Sequence, residues 1–246
     1  MFRKHFIPKT KEEKDPIAWR SHEVSRIEAF SDAVFAFAVT LLVVSLEVPR
    51  TFDELLENMK GFFAFGVSFS LLFQIWYTQY QFFRRFGLQD TRIIVINAAL
   101  LFVVLFYVYP LKFLFTMLLF KPGDSTMLVA GPKLVELMVI YGLGFTVIYL
   151  LFAWMYWHAI GHEKLKLTDS ERFHSFSGFY SNVLMAGVGV FSIVLALALP
   201  YNWTWVSGPI YAMIGPAMSV MHGRRGKIHR KLHAAPTPQT AVETSR

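Results

Sequence analysis

Asp32 offers the most chemistry in this chain. It is a carboxylate near one end of a long apolar stretch, flanked by Ser31 and followed by Thr40 and Ser45 as the stretch's other polar residues. A carboxylate in such a setting is costly unless it faces protein or water, which makes Asp32 a functional-site candidate by default. The competing reading is that Asp32 sits at headgroup depth and ties helices together. The histidine pairs His158/His162 and His229/His233, each spaced i, i+4, can present two metal ligands on one helix face. No third ligand is evident and interfacial headgroup contact competes, so no metal site and no cofactor are assigned. Glycine-rich phosphate loops, paired catalytic carboxylates, HExxH and a serine elbow are all absent, so no catalytic residue is assigned and the chain reads as a non-enzyme. The remaining polar residues inside apolar segments are few, mainly Ser68, Ser70, Gln74, Asn97, Thr146 and Asn182. That is sparse for an enzyme or a proton-coupled transporter and suits a helix-lined pathway with a hydrophobic gate.

The element that must position Asp32 is the segment from Arg26 to Pro49. A helix there is long enough to cross a hydrocarbon core, which takes about 20 residues at about 1.5 Å each. The composition agrees: 54% hydrophobic and only 17% charged residues leave too little polar surface for a soluble globule, so the chain reads as a polytopic membrane protein. Further spans are expected over about 61–83, 92–120 (with Pro110 kinking it), 134–158, 176–199 and 205–220. A short amphipathic stretch around Asp53, Glu54 and Glu57 should precede the second, and a charged loop over 161–172 should precede the fifth. The glycine pairs Gly142/Gly144 and Gly187/Gly189 read as sites of close helix packing.

Lys and Arg (24 against 17 acidic residues) concentrate in the N-terminal arm, the 84–92 loop and the C-terminal tail. Acidic or neutral connections alternate with these basic ones, which places both termini in the cytoplasm of a multi-pass protein of the cell membrane. The Arg224–Lys231 run reads as a solvated, lipid-facing end, and a nucleic-acid partner is not expected. The organisation is therefore a cytoplasmic arm over 1–25, a six-helix membrane domain over 26–222 and a basic, then disordered, tail over 223–246. The mixed-charge arm ahead of the first apolar segment argues against a cleavable signal peptide. No cysteine is present, so no disulfide framework can form.

On a wheel at about 100° per residue, Phe30, Ala33, Phe37, Thr40, Leu41 and Val44 share one stripe of the first helix, and Ser31 and Asp32 point away from it. Lining a pore, the stripe would supply apolar rings with one hydroxyl ring from Thr40. Ser31 and Asp32 would meet neighbouring helices, with Arg26, Asn97 or Trp76 as partners. Packing or lipid contact is the usual origin of such a stripe, and a threonine at Thr40's place usually bonds its own helix.

Arg26-x-x-x-Phe30-Ser31-Asp32, then Val34-Phe35-Ala36 and Thr40-Leu41-Leu42, resembles the first-helix signature of the transmembrane protein 175 family, the endosomal and lysosomal potassium channels and their prokaryotic relatives. Trp76, Arg84, Asp90, Asn97 and Pro110 follow in the family's order. The resemblance is close through the third span and rests on helix count beyond it. It implies a six-span, single-repeat subunit of the prokaryotic kind, assembled as a homotetramer around four copies of the first helix, whereas animal members carry two repeats and pair as dimers. It further implies a potassium-over-sodium leak channel without the Thr-Val-Gly-Tyr-Gly loop, which this chain lacks. Carried over by position, Phe37, Leu41 and Val44 are the constriction, Thr40 is the selectivity-related hydroxyl, and Arg26, Phe30, Ser31, Asp32, Trp76 and Asn97 form a structural network. Phe37 stands where smaller aliphatic residues are usual, and Gln79 stands where a histidine is common. The alternative from another class is a secondary transporter with Asp32 as its proton-coupling carboxylate.

Overall fold

The computed structural model describes residues 23–44, 51–119 and 132–199, and every regular element among them is helical. In chain order these are α1 (Arg26–Val44), α2 (Phe52–Phe86), α3 (Thr91–Leu119), α4 (Pro132–Ile160) and α5 (Asp169–Ala198), with a 3₁₀ turn at Glu163–Leu165. The arm over 1–22, the tail and the sixth span expected over 205–220 lie outside the described residues.

Two boundaries differ from the sequence expectation. The acidic stretch at Asp53 is no separate piece: it is the first turn of α2, which runs unbroken for 35 residues. Acidic side chains near a helix N-terminus interact favourably with the macrodipole, so the charges that look like a loop start the helix. At about 1.5 Å per residue α2 is roughly 50 Å long, well beyond the ~30 Å of a hydrocarbon core. Helix α5 starts at Asp169, inside the segment expected to be a loop. Thr168 caps it: its hydroxyl accepts the Glu171 N–H, and the Glu171 carboxylate accepts the Thr168 N–H. That reciprocal capping box satisfies two otherwise orphan donors.

Helix α3 lies against α1, α2 and α4, and α4 and α5 form a closely packed hairpin. The buried face of α3 follows helical spacing through Ile93, Ile96, Leu100, Val104, Val108 and Leu111. The helix continues through Pro110, whose carbonyl accepts the Tyr141 hydroxyl of α4. Gly87, at φ 59°, ends α2 in the left-handed region that glycine adopts without a Cβ penalty, and its N–H closes on the Phe83 carbonyl. Just before it, the rings of Phe82 and Phe86 both pack edge-on against Tyr156 of α4, with centroids 5.3 and 5.6 Å from it. Tyr156 in turn lies where a side chain at Gly178 of α5 would sit. Of the glycines read as packing sites, Gly142 and Gly189 face each other's helices and Gly144 faces the Tyr107 ring, but nothing lies within 4 Å of a Cβ placed at Gly187.

Among the described residues, α3 over Thr91–Leu111, α4 over Lys133–Ile160 and the whole of α5 are long and apolar enough to cross a membrane. Helices α1 and α2 stand where the first two spans are expected. Large apolar side chains on the outer faces, such as Phe102, Phe106 and Trp154, are exposed in the isolated subunit. In water they would be a liability; against lipid or neighbouring subunits they are not.

Candidate functional site

Ser25 sets the start of α1. Its hydroxyl accepts the Glu28 N–H at 3.3 Å and donates to the Glu28 carboxylate at 2.9 Å, while its carbonyl takes the Ala29 N–H. The sequence signal is Ser-x-x-Glu, but only half of a capping box forms: the Glu28 carboxylate takes the Ser25 hydroxyl and not its backbone N–H. From there the helix divides into two faces. Ser31, Phe35, Ala38 and Leu42, at spacings of four, three and four, are buried against α2 and α3. Phe30 (62% exposed), Ala33, Phe37 (57%), Thr40 and Leu41 (41%) turn away from the subunit. The Val44 side chain is outside the described residues.

Thr40 carries the hydroxyl on that outer face. It donates to the Phe37 carbonyl at 2.6 Å, one turn back in the same helix. With the proton committed to the backbone, the oxygen has lone pairs left to offer on the exposed side.

The inner face carries a polar thread through three helices. The Gln79 side-chain amide of α2 donates to Asn97 Oδ1 of α3 at 2.5 Å, and Asn97 Nδ2 donates to Ser31 Oγ at 3.0 Å. Ser31 completes the thread by donating to the Ile27 carbonyl at 2.8 Å. Gln79, Asn97 and Ser31 are all buried, with Gln79 only 2% exposed. Beside it Trp76 Nε1 donates to Asp32 Oδ1 at 2.7 Å, in a groove between α1 and α2 lined by Phe35, Val39, Phe69 and Phe73. A neutral bond contributes about 1 kcal/mol and one to a charged group about 1.5–3 kcal/mol, while an orphaned buried partner costs about 1–3 kcal/mol. The thread is therefore worth more for what its loss would expose than for what its bonds add.

The structure brings together Ser31 with Asn97 and Asp32 with Trp76. Arg26 and Phe30 are exposed. Gln79, which sequence reasoning set aside as a departure from pattern, is the thread's buried donor. A further pair was missed altogether: His158 Nε2 lies 2.9 Å from Asp90 Oδ2, joining residues 68 apart in sequence. No local spacing could have revealed it.

A family model described as "Endosomal/lysosomal potassium channel TMEM175" matches residues 26–107, the stretch that holds α1, α2 and the thread. A protein of Marivirga tractuosa named "Potassium channel" is 39% identical over 229 residues, covering 87% of this chain and 93% of that protein. Among solved structures, a variant of the potassium channel MtTMEM175 bound to a nanobody fusion protein superposes with a TM-score of 0.75 at 38% identity, covering 87% of this chain and 97% of that one. A lysosomal potassium-selective channel TMEM175 homolog from Chamaesiphon minutus superposes with a TM-score of 0.58 at 22% identity, over 83% and 99% of the two chains, which speaks for the fold alone.

Proposed function

The chain belongs to the TMEM175 family, a family of potassium channels and not of enzymes, and from that membership we propose that it forms a potassium-over-sodium leak pore lined by α1 in a homotetramer. The observation that carries the reading is the outer face of α1: Phe37 and Leu41 are exposed at helical spacing on the side opposite the one that packs the subunit. Four such faces meeting on an axis would put Phe37, Leu41 and Val44 in successive rings. None of these side chains can coordinate a dehydrated cation, so the rings act as a steric and dewetting barrier. Selectivity then falls to ion hydration and to the Thr40 oxygens, which their internal hydrogen bonds leave as acceptors.

In this reading residues 26–222 form a six-helix membrane domain of the cell membrane, with the 1–25 arm and the 223–246 tail in the cytoplasm. The basic end of α2, at Arg84 and Arg85, then faces the cytoplasm too. Ser31, Asp32, Trp76 and Asn97 hold α1 in register and do not face ions, and the Asp32 contact with Trp76 supports that role over proton coupling.

The test is potassium and sodium flux through purified protein in liposomes. Phe37→Ala should raise potassium flux several-fold and lower the preference for potassium. Unchanged flux in Phe37→Ala would remove the gate assignment. Potassium flux that collapses without a proton gradient would replace the channel by a coupled transporter.

A further inference from the structure

Asp90, His158 and His162 come from two connections that sequence reading treats separately, and their ligand atoms lie within 4.8 Å of one another. Asp90 is the residue before α3, and its carbonyl accepts the Ile94 N–H. His158 is in the last turn of α4, and His162 lies two residues past its end, as the N-cap of the 3₁₀ turn. The i, i+4 histidine pair thus gains the third ligand that the sequence does not show.

Two atoms of the cluster are left over by its internal bonding. His158 Nε2 meets Asp90 Oδ2 at 2.9 Å, but Asp90 Oδ1 and His162 Nδ1 are buried without a hydrogen-bond partner. Buried polar atoms are almost always satisfied, so a pair of orphans in one cluster asks for a missing partner. The imidazole rings of His158 and His162 stand edge to face with centroids 5.6 Å apart, both beside the same carboxylate. The cluster opens on a cleft of about 1060 Å³ that provides access and holds Glu163 and Arg92 as well as Trp157.

We propose that Asp90, His158 and His162 form a site for a zinc-class divalent cation that joins the α2–α3 connection to the α4–α5 connection. Two imidazoles and one carboxylate are the donor set of three-ligand zinc sites, the fourth position going to water or to another oxygen ligand. Ligand atoms around tetrahedral zinc stand about 3.3 Å apart at bond lengths of about 2.0–2.2 Å, so atoms that already lie within 4.8 Å of one another need to close by no more than about 1.5 Å. The C-terminal end of α4 beside His158 carries the negative pole of the helix dipole, which favours a cation. Glu163 and Arg92 line the same cleft with opposite charges. Magnesium and calcium prefer all-oxygen shells and are poorly matched to two imidazoles.

The experiment uses the full chain, purified without a histidine tag, stripped with a chelator and titrated with zinc chloride while bound metal and thermal unfolding are followed. One zinc per subunit and a raised unfolding temperature are expected. Losing one ligand should weaken binding by about 100-fold or more, since outer partners alone are worth 10–100-fold. His162→Ala, which lies beyond the helix end, carries the test should Asp90→Asn fail to fold. The double change His229→Ala/His233→Ala should leave affinity unchanged. Wild-type zinc affinity in His162→Ala, binding lost only with the 229/233 pair, or no stoichiometric binding would each overturn the site. None of these readouts depends on ion flux.

Discussion

Gln79 is a long polar side chain with almost no access to solvent, held by its amide on Asn97. Replacing it with leucine keeps the bulk and strands Asn97 Oδ1 inside the three-helix junction. We expect Gln79→Leu to cost about 1–3 kcal/mol, read as a lowered unfolding temperature in detergent. Gln79→His, which restores a donor, should recover much of it; equal stability of the leucine variant and wild type would mean the thread is dispensable. Asp32 behaves differently, since its carboxylate stays exposed to the α1–α2 groove while accepting from Trp76. Asp32→Ala should lower yield and assembly while leaving the potassium-to-sodium ratio of the surviving channels within about twofold, because the loss is of a charged hydrogen bond of about 1.5–3 kcal/mol and not of an ion ligand. A collapse of selectivity with normal yield would place Asp32 among the ion-facing groups.

The tightest joint between elements is the α4–α5 hairpin, where a side chain added at Gly189 would run into Thr146 and Phe145. Overpacking of this kind costs about 1–3 kcal/mol, so Gly189→Leu should unfold at lower temperature. Gly187→Ala, in open space two residues away, should stay within about 0.5 kcal/mol, and similar losses in both would show that the hairpin tolerates no helix change at all. Helix positions were largely readable from apolar run length, because a segment that must bury or shed its apolar side chains along some 20 residues leaves little choice. Boundaries were less so: the acidic turn at Asp53 and the Thr168-x-x-Glu171 box lie in charged surroundings that resemble loops, and only the reciprocal cap identifies the second as a start. The two-faced character of α1 was legible from spacing, and Ser31 and Asp32 were expected to meet neighbouring helices. Which partner each takes was not, nor was the Asp90–His158 contact, since both depend on how distant helices rotate against one another.

At the scale of the whole molecule, the charge asymmetry between connections makes a topological claim that the cysteine-free sequence renders easy to test. Single cysteines can be placed at exposed Gln89, after α2, and at exposed Thr51, before it. In right-side-out vesicles, an impermeant thiol reagent should label Thr51→Cys and spare Gln89→Cys until the membrane is opened. The reverse pattern would invert the subunit and, with it, the side from which the zinc-class site is reached.

The internal hydrogen bond of Thr40 has one more consequence. A hydroxyl free to rotate can greet a chloride with its proton as readily as a potassium ion with its oxygen. One whose proton is already spent on the Phe37 carbonyl can do only the second. A collar built from several such groups would sort permeants by the sign of their valence without any formally ionised residue in the conduit, and the protein would turn halides back by geometry alone.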